Sequence, residues 1–168
     1  NDEGYEDTYA NGQINYANDY YFNGKNGINA HTFLQDPPNG NEAVHDSIID
    51  NVNKGLGIAT YSAHCLASGW TNPSFNLDDI SALTENGKYG IWISNCCESM
   101  KFEEPECFGE AAFRVEDKGA VGAIGASDET YWDEDYWWGV GLTSNIVANP
   151  TYEESGLGMY DRLFHIHE

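Results

Sequence analysis

Short apolar runs alternate along the chain with segments of helical periodicity. Four runs, at residues 28–35, 56–63, 89–97 and 120–125, are predicted to be strands. The run at 89–97, a mostly apolar stretch after a Gly-Lys turn, is typical of a strand buried on both faces of a parallel sheet. The same run ends on the thiol pair Cys96-Cys97, and the rest of the predicted fold is organised around it.

The predicted helices lie between these strands, at residues 41–55, 77–85, 108–117 and 137–148. The first shows the pattern most clearly, because Val44, Ile48, Ile49 and Val52 share one face. Residues 1–27 are predicted to be a loop followed by a short helix, and residues 69–73 a loop. The alternation of strands and helices predicts an α/β domain, with a mostly parallel sheet and helices on both faces. We expect its first strands to lie upstream or in another chain.

Two of the predicted strands end on residues whose side chains can take part in catalysis. The run at 56–63 ends on His64, and the run at 89–97 ends on Cys97. Because ligands of open α/β sheets bind beyond the carboxyl ends of the strands, this placement favours a Cys–His nucleophile. Strand alternation directs Cys96 toward the core instead. The alternative is structural: a buried thiol at Cys97 and a hydrogen-bonded core histidine at His64.

The charge of the chain excludes several classes of partner. The net charge is −21, from 28 acidic and 7 basic residues. So few cations cannot neutralise many phosphates, which argues against nucleic acid, and the acidity disfavours anionic membranes. No run approaches the roughly 18 apolar residues of a membrane span.

Four cysteines, Cys65, Cys96, Cys97 and Cys107, are too few for a dense disulfide framework. They lack paired C-x-x-C spacing, so a structural zinc site is not expected. A bridge from Cys65 to Cys96 or to Cys107 remains open, and the cysteines alone do not indicate the compartment.

The motifs around His64 and Cys97 resemble those of gingipain-type cysteine peptidases, of the caspase-like clan. The resemblance covers residues 61–141, and its most specific parts are Asn95-Cys96-Cys97, Cys107-Phe108-Gly109-Glu110 and Tyr131-Trp132. It implies a caspase-like three-layer α/β sandwich. Residues 1–168 would then form a single catalytic domain or subdomain, the C-terminal part of a larger peptidase domain.

The resemblance also implies catalytic roles. Cys97 would be the nucleophile, His64 the general base, and Glu3 the acid that orients the histidine. The backbone N–H groups of Cys97 and Cys65 would hold the oxyanion. The family has glycine at the position of Cys65, so we expect a side chain there to be awkward if the backbone needs a positive φ.

Three further residues are expected to bind substrate. By resemblance, Trp132 would cover the primary specificity pocket, and Asp135 and Asn95 would contact the substrate.

The implied function is a secreted or bacterial cell-surface cysteine endopeptidase that acts on polypeptides through a thioester acyl-enzyme. No cofactor is required for the chemistry, and a structural Ca²⁺ is expected without assigned ligands. An N-terminal segment or another chain is expected to complete the sheet. Two alternatives remain open: a sortase-like transpeptidase of a bacterial secretion system, and a catalytically silent binding domain of the same fold.

Overall fold

The computed structural model describes residues 4–34, 42–84 and 87–165. The chain divides into two compact units, which we call the central unit, Asp36–Thr130, and the terminal unit, Asn1–Gln35 with Tyr131–Glu168. The prediction that residues 1–168 form one catalytic subdomain stays a prediction.

The described residues contain strands and helices in alternation along most of the chain. The strands are β1 Ile58–Ser62, β2 Cys65–Leu66, β3 Gly69–Thr71, β4 Ser74–Asn76, β5 Gly90–Asn95 and β6 Ala120–Gly125. The α-helices are α1 Asn11–Tyr20, α2 Glu42–Lys54, α3 Leu77–Ala82, α4 Phe108–Arg114, α5 Trp132–Val140 and α6 Met159–Phe164. A π-helical turn, Glu6–Ala10, precedes α1, and short 3₁₀ turns lie at Gly24–Asn26 and Tyr152–Glu154.

The central unit is built on a parallel sheet in the order β1-β5-β6. Strand β1 pairs with β5 up to Ser62 opposite Asn95, and β5 pairs with β6 up to Ser94 opposite Gly125. The predicted α/β class and its parallel sheet are confirmed. Because all three strands run the same way, their carboxyl ends share one edge of the sheet.

A second, antiparallel sheet of β2, β3 and β4 follows β1 directly. The prediction of a loop over 69–73 is therefore wrong, since residues 69–71 pair with neighbours on both sides. Trp70 of β3 is buried and stacks on Tyr61 of β1, with ring centroids 4.8 Å apart. This small sheet is thereby anchored beside the segment that carries His64.

Three aromatic rings join these elements in the core of the central unit. Phe75, Trp92 and Phe108 are almost completely buried, and their ring centroids are 5.6 to 6.0 Å apart. Large rings in tilted and edge contacts contribute area burial and about 0.5–1.5 kcal/mol per pair beyond it. Strand β5 and helix α4, which flank Cys97 in sequence, are thus held in a fixed relation.

The helices of the central unit agree with the predicted positions but are shorter. Helix α3 begins at a capping box formed by Asn76 and Asp79, and α4 begins at one formed by Cys107 and Glu110. Helix α2 matches the predicted helix at 41–55, although its predicted cap, Asn41, lies outside the described residues.

Two predictions for the terminal unit are wrong. Residues 28–34, the described part of the predicted strand at 28–35, form no strand and are mostly exposed, so they lack the burial that a sheet requires.

The last long helix, α5, spans Trp132–Val140 instead of 137–148. Asp133, Glu134 and Asp135 form its acidic first turn, which suits the positive end of the helix dipole, and Gly141 at φ 99° ends it.

A buried carboxylate joins α1 to α6 within the terminal unit. The hydroxyls of Tyr16 and Tyr21 donate to Oδ1 of Asp161 at 2.6 and 2.5 Å. Burial and the hydrogen bonds to Asp161 raise the pKa of both tyrosines. The hydroxyls therefore remain protonated donors at any physiological pH.

Candidate active site

The site lies at the carboxyl ends of β1 and β5 in the central unit. The last paired residues of these strands are Ser62 and Asn95. His64 and Cys97 each follow two residues later, on strands that lie about 4.8 Å apart as neighbours of one sheet. The tertiary structure thus brings together the two chain segments that the sequence singled out.

A disulfide between Cys65 and Cys96 joins these two segments directly. The Cα atoms of the pair are 5.7 Å apart. Consecutive Cα atoms are about 3.8 Å apart, so those of His64 and Cys97 lie within about 13 Å of each other. Of the two pairings left open by the sequence, the structure has Cys65–Cys96. Cys107 is a buried free thiol, and burial raises its pKa.

The main chain at His64 is held by side chains of the central unit. Its carbonyl oxygen accepts hydrogen bonds from the Tyr61 hydroxyl at 2.6 Å and the Thr71 hydroxyl at 2.7 Å. The backbone N–H of Thr71 donates to the same oxygen at 3.2 Å. The side chain of His64 is exposed, so the alternative of a core histidine is wrong.

Cys97 is a free, half-buried thiol in contact with Thr130. The backbone N–H of Thr130 donates to Sγ of Cys97 at 3.4 Å. The carbonyl and hydroxyl oxygens of Thr130 lie 3.6 and 3.7 Å from the same sulfur. Sequence reasoning missed Thr130. It lies in the loop after β6, and the rule that neighbouring parallel strands end at one edge points to that loop.

The turn that follows Cys97 has an unusual backbone. Glu98 has φ 56°, in the left-handed region that non-glycine residues seldom adopt. Its N–H donates to the carbonyl of Asp128 at 3.0 Å, and its carboxylate pairs with Lys101. The N–H of Met100 donates to the carbonyl of Ala126 at 2.9 Å. The nucleophile candidate therefore precedes a turn that the loop after β6 holds in place.

The backbone N–H of Cys65 points away from its neighbouring strand. Cys65 pairs with Trp70, while the N–H of Thr71 bonds to the carbonyl of His64. In an antiparallel ladder this pattern makes Cys65 and Trp70 a non-hydrogen-bonded pair, so the Cys65 N–H is directed outward from β3. Cys65 is also not among the described non-glycine residues with a positive φ. The expected conflict between a side chain and a positive φ at this position is therefore absent.

The N–H of Cys97 is the second predicted oxyanion donor. Within residues 4–34, 42–84 and 87–165, no backbone carbonyl accepts a hydrogen bond from it, whereas the N–H of Glu98 is paired with the carbonyl of Asp128.

The remaining predicted site residues are distributed over the chain. Asn95 is the half-buried last residue of β5. Trp132 and Asp135 belong to the terminal unit. Trp132 opens α5 and stacks on Tyr5 with centroids 6.4 Å apart, and Asp135 is 8% exposed. Glu3 lies outside the described residues.

Within the described residues, no group of three or more His, Cys, Asp or Glu side chains is arranged to hold a metal ion. The expected structural calcium ion stays a prediction, and no residues are assigned as its ligands. Among the described helices, none has the length and apolar character needed to cross a bilayer.

Comparison with known proteins identifies relatives over most of the chain. The family model of peptidase family C25 matches residues 2–167. Lys-gingipain of Porphyromonas gingivalis is 38% identical over 152 residues, which cover 90% of this chain and 8% of that protein. The chain thus spans about a twelfth of the length of the curated relatives it matches.

Two solved structures share the fold. A protein described as "Structure of Protease" superposes with a TM-score of 0.87 at 31% identity, over 98% of this chain and 35% of that one. The Arg-specific cysteine proteinase gingipain R superposes with a TM-score of 0.52 at 24% identity, over 54% of this chain and 22% of that one. The predicted caspase-like α/β fold is confirmed by these likenesses. The match to the family model over nearly all residues establishes that the chain belongs to peptidase family C25.

Proposed function

We propose that this chain carries the catalytic centre of a cysteine endopeptidase, with Cys97 as nucleophile and His64 as general base and acid. The observation that carries the proposal is the junction of β1 and β5. Neighbouring parallel strands deliver an exposed imidazole and a half-buried free thiol to one edge, and a disulfide joins the residues beside them. Membership of peptidase family C25 supports the same chemistry.

The proposed reaction has two halves. His64 takes the proton of the Cys97 thiol, and the thiolate attacks the carbonyl carbon of the scissile peptide bond. The C–N bond then breaks, His64 gives its proton to the departing amine, and a thioester to Cys97 remains. A water molecule, deprotonated by His64, attacks the thioester and releases the carboxylic acid and the thiol.

The N–H groups of Cys65 and Cys97 are proposed to stabilise the oxyanion of both tetrahedral intermediates. The outward direction of the Cys65 N–H supports this role. Preorganised N–H donors of this kind typically contribute about 3–4 kcal/mol each to lowering the barrier. The roles of Glu3 in orienting His64, and of Asn95, Trp132 and Asp135 in binding substrate, stay predictions from the resemblance.

The proposed substrates are polypeptides, cut after a basic residue and after lysine in particular. A relative that is 38% identical to this chain over 152 residues is named Lys-gingipain, and the net charge of −21 attracts cationic peptides. Matched fluorogenic peptides ending in lysine, arginine or leucine test the preference. Faster cleavage of the leucine peptide than of both basic peptides would overturn it.

The nucleophile is tested in the intact protein with one variant and a matched control. Cys97→Ala should abolish peptide cleavage and labelling by a peptidyl chloromethyl ketone. Cys107→Ser removes the other free thiol while leaving a good helix cap, so it should retain both. Full activity of Cys97→Ala would disprove the assignment. A wild-type protein that neither cleaves peptides nor accepts the label would favour the silent binding domain.

A location outside the cytoplasm is also proposed. The Cys65–Cys96 disulfide supports it, because such bonds persist in oxidising compartments and are rare in the cytosol. Fractionation of producing cells, with immunodetection of the protein in medium, surface and cytoplasmic fractions, tests it. Accumulation in the cytoplasm alone would contradict the proposal.

A further segment is proposed to cover the sheet of the central unit. Ile91 of β5 and Ile124 of β6 are 43% and 44% exposed although they are apolar, and they share one face of the sheet because Ile91 pairs with Gly122. Substituting Ile124 by Asp in the intact protein should lower thermal stability if this face is covered. An unchanged melting temperature would show that the face is solvated instead.

A further inference from the structure

The hydrogen bonding that holds β1 beside β5 stops before the candidate catalytic residues. The paired residues end at Ser62 and Asn95, and the chain beyond each strand leaves the ladder. His64 and Cys97 lie in these outgoing segments. The covalent bond between Cys65 and Cys96 joins the same two segments just beyond the last paired residues of β1 and β5.

We propose that the Cys65–Cys96 disulfide is a positioning element of the reaction, which sets the distance between His64 and Cys97 and the direction of the two oxyanion donors. The inference rests on the proposed function, because it assigns a role beside that same dyad. It goes beyond that function, because it makes the bond necessary for turnover and not only for the stability of the fold.

The contacts of the disulfide support a direct effect on the site. Sγ of Cys65 lies 2.7 Å from the carbonyl oxygen of Cys97, so the bond touches the peptide unit of the nucleophile. Both cysteines are buried, at 5% and 0% exposure, which restricts movement of either half. Cys65 also bears one of the proposed oxyanion N–H groups, and Cys96 immediately precedes the other.

Cleavage of the bond therefore removes the covalent link between two segments that the reaction needs in register. A proton passes between imidazole and thiol only within hydrogen-bond reach, and oxyanion donors act only at a defined position. Misplacement of reacting groups by about 1 Å can reduce a rate about a hundredfold. The expected effect falls on kcat and on the pH dependence of kcat/KM. Substrate affinity depends on other contacts, so KM should change little.

The test is a double variant of the intact protein, Cys65→Ser with Cys96→Ser, compared with Cys107→Ser. The double variant removes the bond and leaves a short side chain at both positions. We expect kcat to fall by about tenfold or more, KM to stay within about threefold, and the pH profile of kcat/KM to shift. The rate at which iodoacetamide alkylates Cys97 should change as well, while Cys107→Ser should match the wild type in all four measurements.

A folded double variant with unchanged kcat and an unchanged pH profile would overturn the inference and make the bond purely structural. If the double variant does not fold, the wild type is treated with a phosphine reductant and activity is followed against the disulfide content by mass spectrometry. Activity lost with the bond and regained on reoxidation supports positioning, and activity independent of the bond contradicts it. The proposed function fails separately, through an active Cys97→Ala variant.

Discussion

The indole Nε1 of Trp70 donates a hydrogen bond to Oγ of Ser94 across 2.8 Å. Both groups are buried, at 6% and 3% exposure, in the interior of the central unit. The bond joins β3 of the small antiparallel sheet to β5 of the parallel sheet. Because β3 also pairs with the segment that follows His64, this one contact helps to fix the histidine segment relative to the strand that leads to Cys97.

Replacing Trp70 by Phe is expected to destabilise the protein, because it removes the donor and leaves a buried hydroxyl without its partner. The cost should be about 2–4 kcal/mol, from the lost packing and the unsatisfied Ser94. Urea denaturation measures it, and the double variant with Ser94→Ala isolates the hydrogen bond. A coupling of about 1 kcal/mol is expected between the two sites. Strict additivity of the two substitutions would contradict the bond.

Thiol counting should distinguish three classes of cysteine. In the folded protein iodoacetamide should label Cys97 and spare Cys107, because Cys107 is buried and burial raises its pKa, which leaves little thiolate. Denaturation without reductant should expose both free thiols, and reduction should add Cys65 and Cys96. Peptide mapping by mass spectrometry assigns each label. Rapid labelling of Cys107 in the folded state would contradict the structure.

The pair of His45 and Asp79 should make stability depend on pH. Nε2 of His45 lies 3.0 Å from Oδ1 of Asp79. Partial burial alone would lower the pKa of His45, but the hydrogen bond to Asp79 and its charge outweigh burial, and the pKa is raised. The protonated form is therefore the one that folding favours. Its contribution is fully present below the ordinary pKa of about 6.5 and is lost as the pH rises through the folded value.

His45→Gln should accordingly lose more stability at pH 5 than at pH 9. The difference should be below about 1 kcal/mol, because the histidine is partly exposed to solvent. Chemical denaturation at the two pH values measures it, with the exposed His31→Gln as the matched control. Equal losses for His45→Gln at both pH values would show that the pair carries no proton-linked stability.

Gly119, in the turn before β6, should not tolerate a side chain. Its φ is 81°, and a Cβ there would lie 2.3 Å from the carbonyl oxygen of Ala112 and 2.6 Å from Cγ1 of Val115. Gly119→Ala is expected to cost about 2 kcal/mol or more, from the left-handed backbone and the clash together. Gly57→Ala, where a Cβ meets nothing within 4 Å, should stay within about 1 kcal/mol of the wild type. Thermal unfolding of both variants makes the comparison.

The elements that were predicted well have strong local signals. Strands β1, β5 and β6 lie in short, mostly apolar runs of the sequence, and helix α2 has a clear apolar face. The wrong predictions concern segments whose local sequence pattern is weak or fits more than one kind of element. The apolar residues at 28–34 are too dispersed to define a buried face, and the segment is mostly exposed. The acidic residues 133–135 resemble a loop in composition, whereas in the structure they open α5.

The candidate site was predictable only in part. His64 and Cys97 were identified because each follows an apolar run, and a strand end is a property of the sequence. Thr130 was missed because its contact with Cys97 depends on β6 lying beside β5, at a separation of 33 residues. The disulfide partner of Cys65 was undecided for the same reason. Spacing allowed two partners, and only the strand register brings Cys96 within 5.7 Å.

The sequence by itself determined the α/β class, the acidic surface, and the identity of the histidine and thiol at the ends of two strands. These follow from periodicity, charge and motif, which are local properties. The tertiary structure decided which strands are neighbours, which cysteines are joined, and which backbone N–H groups point away from the sheet. These three features depend on the order and register of the strands. Order and register arise from packing between residues that are far apart in the chain, so no short stretch of sequence predicts them.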